Sequence, residues 1–74
     1  MPGSYAERFG HPPRISRHAM ERMNTDGISR RQLAEALDTP AVPGRSPGTV
    51  DFVGSGITAV VNDEGMVVTV YRNG

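Results

Sequence analysis

Hydrophobic and polar positions alternate along the last third of the chain in three runs. They are Thr49-Val50-Asp51-Phe52-Val53, Ile57-Thr58-Ala59-Val60-Val61 and Met66-Val67-Val68-Thr69-Val70-Tyr71-Arg72. Each is rich in β-branched residues, whose side chains suit a pleated surface. Gly54-Ser55-Gly56 separates the first two, and Asn62-Asp63-Glu64-Gly65 separates the last two. Both connectors are short and supply glycines for tight turns, so the pattern predicts an antiparallel meander. Side chains of a strand point alternately to its two faces. One face collects Val50, Phe52, Ile57, Ala59, Val61, Met66, Val68 and Val70, all non-polar. The other collects Asp51, Val53, Thr58, Val60, Asn62, Val67, Thr69 and Tyr71, a mixture open to water or shaped for a ligand.

Upstream the spacing changes to that of helices. Ser16 is a good N-cap for a helix from Arg17 to about Thr25, with Ala19, Met20 and Met23 on one side and Gly27 to end it. Ser29-Arg30-Arg31-Gln32 matches a capping box, in which serine and glutamine each satisfy a free backbone donor. Ile28 and Leu33 flank that cap as a hydrophobic staple. Leu33, Ala34, Ala36 and Leu37 make the buried stripe, and Pro40 stops the helix by Asp38 or Thr39. The segment from Thr39 to Gly48 is a Pro/Gly loop that presents Arg45 just before the first strand.

Residues 1–13 hold prolines and glycines with little apolar content and read as a flexible tail, with His11 solvated in it. The expectation is one α+β domain over residues 14–74: two N-terminal helices on one face of a three-stranded meander, ααβββ. Arg14-Ile15 is a candidate for a short extra edge strand, limited by Pro12-Pro13. In the meander, Thr49–Val53 and Met66–Arg72 are the sheet edges.

Composition narrows the function classes. At 74 residues the core is small, and a second copy of the chain is a natural stabiliser. Arginine supplies all eight basic charges against eight acidic ones, which excludes a polybasic grip on nucleic acid but leaves room for a local arginine patch. There is no cysteine for a disulfide or thiolate metal site. Two histidines, one of them in the tail, do not make a metal centre, so no metal and no cofactor is expected. No apolar run is long enough to span a membrane and no leader pattern opens the chain, so a cytoplasmic protein is the default expectation.

One combination of residues is more specific. Arg17-His18-Ala19-Met20-Glu21-Arg22-Met23, then Gly27-Ile28-Ser29, then Val67-Val68-Thr69-Val70-Tyr71 resembles a bacterial domain-of-unknown-function family with an R-H-A-x-x-R-M helix, a G-I-S helix start and a V-V-T-V-Y final strand. The resemblance covers roughly residues 14–72. Members of that family look like toxin-type ribonucleases of the barnase, EndoU, colicin and RelE-like fold. The resemblance implies a site built from His18, Arg22, Thr69 and Tyr71; Arg45 is added as a substrate-binding cation from its place in the loop. It also implies RNA as substrate and an antitoxin or immunity protein as partner.

Those residue types suit metal-independent attack of a 2′-hydroxyl on the adjacent phosphate. An imidazole carries protons near neutral pH, guanidinium groups match phosphate oxygens, and a tyrosine stacks on a base or donates a proton. The plain alternatives are a surface histidine at 18, an Arg22–Asp26 pair, and ordinary strand residues at 69 and 71. The competing function is a non-catalytic interaction module, or a homodimerising domain, that pairs through an exposed strand or through the valine-containing second face.

Overall fold

The computed structural model describes residues 3–73. Three helices and five strands follow in the order α1 (Tyr5–Phe9), β1 (Arg14–Ile15), α2 (Arg17–Asp26), α3 (Arg30–Leu37), β2 (Val42–Pro43), β3 (Thr49–Val53), β4 (Ile57–Asn62) and β5 (Met66–Arg72). The two main helices start where their caps predict. The Ser16 hydroxyl accepts from the Ala19 N–H at 3.1 Å, and Gly27, at φ 66°, turns the chain out of α2. At α3 the Ser29 hydroxyl accepts from the Gln32 N–H at 3.1 Å, and the Gln32 side chain accepts from the Ser29 N–H at 2.9 Å. Ile28 and Leu33 are both buried, as the staple requires.

The sheet has the order β1-β5-β4-β3-β2. The meander β3-β4-β5 is antiparallel, β2 extends it beside β3, and β1 lies parallel to β5. The fold is therefore α+β, but with a mixed five-stranded sheet in place of a three-stranded meander. The expected edges are correspondingly covered in part: β1 pairs with Met66 and Val67, and β2 with Val50 and Asp51. Both added strands are two residues long, and Pro43 in β2 has no N–H to offer a further strand.

The predicted facing of β5 is corrected by a bulge. Val60 pairs with Thr69, but Val61 pairs with Val67, which leaves Val68 as an extra residue. Val67 and Val70 both enter the core with no exposure, and Val68, expected there, is only half-buried. Ser16 shows how the irregularity is held. Its N–H donates to the Val67 carbonyl at 3.0 Å and its hydroxyl to the Val68 carbonyl at 3.2 Å. Consecutive carbonyls of a regular strand point opposite ways; here both turn towards one residue, the N-cap of α2.

The core lies between the helices and one face of the sheet. Phe52, Ile57, Val61, Val67 and Val70 are fully buried there against Ala19, Met23, Leu33, Ala36 and Leu37. Tyr5 joins them at 3% exposure, its ring edge-on to Phe52 and its hydroxyl donating to the Gly65 carbonyl. The predicted tail is thus corrected over its described residues: α1 is a docked helix, because one large aromatic supplies the buried area that the Pro/Gly content conceals. His11 is exposed as expected, but its ring packs against Tyr5 and Phe9. Met1 and Pro2 lie outside the described residues.

Candidate functional site

The residues singled out by the sequence, Arg45 apart, are carried by two neighbouring elements, α2 and β5. Hydrogen bonds fix the two ends of the seam between them. Ser16 holds Val67 and Val68 at one end, and the Arg72 Nε donates to the Asp26 carbonyl at 2.9 Å at the other. Ten helical steps at about 1.5 Å and four to five strand steps at about 3.3 Å both span about 15 Å, so helix and strand run in register side by side. His18 then comes level with Val68 and Thr69, and Arg22 with Val70.

Their surroundings differ. His18 is exposed on the first turn of α2. Arg22 is half-buried and donates to the Asp26 carboxylate at 2.9 Å, the plain pairing that their spacing of four residues allows. Thr69 lies opposite Val60 and Tyr71 opposite Thr58, on the face away from Val70. Ala19 and Met23 bring α2 onto the Val70 side. The histidine and arginine therefore share a strand edge with Thr69 and Tyr71 but occupy the other side of the strand's plane. Four cavities among the described residues have other linings and include none of these side chains. Arg45 is exposed in the β2–β3 connection, about 14 Å from β5 by three strand spacings of about 4.8 Å.

Two residues missed by sequence reasoning stand out. Arg72 lays its guanidinium by the α2 terminus, where a Cβ on Gly27 would lie 3.7 Å from its Nη2. With Arg22 on the carboxylate and Arg72 on the carbonyl, Asp26 gathers two arginines at one point. Asp51 is the other. It is 9% exposed, and its Oδ1 is buried with no hydrogen-bond partner. It sits in a row with Val42 and Val60 on the face that no helix covers. Loss of water raises its pKa, and the Arg45 charge partly offsets the rise. An aspartate inside a β-branched run was the visible sign.

Among the described residues no group of three His, Cys, Asp or Glu side chains could hold a metal ion. Among the described residues no helix is long and apolar enough to cross a membrane. Compared with protein-family models, curated proteins and solved structures, the chain has no significant match in any of the three.

Proposed function

We propose that the chain is a small ribonuclease-like domain of the metal-independent, toxin type, with its site along the α2–β5 seam. The observation that carries this reading is the register just described, which sets His18 and Arg22 beside the strand that bears Thr69 and Tyr71. RNA would cross the β5 edge with the reacting phosphate near Val68–Val70. His18 takes the proton of the attacking 2′-hydroxyl, and Tyr71 returns one to the departing 5′-oxygen. Arg22 and Arg72 balance charge on the phosphorane, whose collapse leaves a 2′,3′-cyclic phosphate and a free 5′-hydroxyl. Arg45, two to three nucleotides away across the sheet, would hold a flanking phosphate.

The test is incubation of the purified chain with structured and unstructured RNAs in EDTA, beside His18→Ala. Cleavage that yields cyclic-phosphate ends and falls at least about 100-fold in the variant is expected for a lost proton carrier. No cleavage of any RNA by the wild-type chain removes the reading.

A second reading is favoured by the uncovered sheet face. Val42 and Val53 are 43% and 47% exposed there, with Val60 half-buried on the adjoining β4. A non-catalytic module would use this face, with a second copy or a protein such as an antitoxin or immunity protein laid over it. The short, proline-bearing edges make the face a better contact than strand addition. A stable dimer in sedimentation, combined with no ribonuclease activity, would put this reading first.

A further inference from the structure

We infer a binding site for a small apolar zwitterion, an amino acid such as leucine, in the cleft between α1 and the ends of β3 and β4. The cleft measures about 470 Å³ and is lined by Arg8, Phe9, Thr49, Val50, Asn62 and Asp63, among others. A second hollow of about 360 Å³ shares Arg8, Thr49 and Val50 with it. Volumes of this size suit small-molecule sites.

The walls are fixed before any ligand arrives. Tyr5 of α1 donates to the carbonyl of Gly65 in the β4–β5 turn, and His11 packs so closely that a Cβ on Gly65 would meet its ring at 2.7 Å. Asn62 braces the same turn, its side-chain oxygen accepting from the Glu64 and Met66 N–H groups at 3.0 and 2.9 Å. The helix that carries Arg8 and Phe9 is thereby clamped to the turn that carries Asp63, which lowers the ordering cost of binding.

Three polar groups of the wall are unspent among the described residues. The Arg8 guanidinium and the Asp63 carboxylate form no ion pair, with each other or elsewhere. The Asn62 amide nitrogen donates to nothing, since only its oxygen is engaged. Two donors and one acceptor ring an apolar floor of Phe9 and Val50. A phosphate-rich ligand would meet the Asp63 charge, and a purely apolar one would strand both charges. A molecule with carboxylate, ammonium and aliphatic side chain answers all of them: carboxylate on Arg8 and Asn62, ammonium on Asp63, side chain over Phe9 and Val50. The site shares no residue with the α2–β5 seam and stands or falls apart from it.

Amide NMR of the full chain, titrated with L-leucine, N-acetyl-leucine, leucinamide and inorganic phosphate, tests the site. Leucine is expected to move the Phe9, Thr49 and Asn62 resonances saturably at millimolar concentration, with either one-charge analogue at least about 10-fold weaker. Arg8→Ala and Asp63→Asn should each weaken leucine about 10-fold, about 1.4 kcal/mol, while the rest of the spectrum stays in place. Both positions are exposed, so neither change threatens the fold. No saturable shift by about 20 mM leucine, equal binding of N-acetyl-leucine or phosphate, or an undiminished Arg8→Ala variant would overturn the assignment.

Discussion

The two faces of the sheet are made of nearly the same residues and behave differently. On the helix side, Phe52, Ile57, Val61, Val67 and Val70 have no exposure at all. On the other side, Val42 and Val53 are close to half exposed, and Asp51 and Thr58 sit among valines. β-Branched content marks a residue as suited to a strand; it does not say whether anything lies above that strand. Even shielding means different things on the two sides. Phe52 is covered from above by Tyr5 and the helices, whereas Asp51 is walled in sideways by its neighbours on the sheet. That lateral shelter removes water from one carboxylate oxygen without providing a donor in its place.

Substitutions that probe this contrast are ordered by expected effect. Phe52→Ala should cost about 3–5 kcal/mol in urea unfolding, while Val53→Ala, its neighbour on the open face, should stay within about 0.5 kcal/mol. Comparable losses at both positions would mean that the second face is also covered in solution. Gly54→Ala tests how tightly the helix layer sits. Its new Cβ would lie 2.7 Å from the Ala36 Cβ and 2.8 Å from the Ala36 Cα, so a loss of about 1–3 kcal/mol is expected; a neutral result would show that α3 can ride up from β3.

Asp51→Asn gives the smallest effect and a pH signature. The folded chain raises the Asp51 pKa above its ordinary 3.8, so the folded state binds this proton more tightly than the unfolded state does. Its contribution to stability is complete below pH 3.8 and is lost as pH rises through the raised value. The variant lacks that loss. The difference between variant and wild type in unfolding free energy should therefore grow in the variant's favour from pH 3 to neutrality. A difference that is flat with pH would mean that Asp51 keeps its water.

Much of this was legible in the residues. Ser16, Gly27 and the Ser29–Gln32 box announced α2 and α3, and the runs at 49, 57 and 66 announced β3, β4 and β5. What escaped was set by contacts distant in sequence. Nothing local in Val67-Val68 marks a bulge, because the Ser16 hydroxyl that holds it comes from the other end of the chain. The N-terminal segment looked too polar to order, since Tyr5 draws its stability from Phe52 and Gly65. Of the proposed seam, the resemblance to the R-H-A-x-x-R-M helix supplied the residue types. Alternation already put Thr69 and Tyr71 on the face away from Val70, whereas the register that sets His18 and Arg22 against the strand came only from the hydrogen bonds of Ser16 and Arg72. Arg72 went unnoticed because its partner is a backbone carbonyl, which no sequence pattern displays.

The contact between Tyr5 and Gly65 spans 60 positions and that between Ser16 and Val68 spans 52. Order in the first elements is therefore coupled to order in the last strand across long loops, and the entropy of closing them opposes both contacts. A chain synthesised only as far as β4 has its two capped helices and Phe52, but lacks the Gly65 carbonyl that anchors Tyr5 and the strand that pairs with β1. Order at the N-terminus should arrive in one step, with the last hairpin.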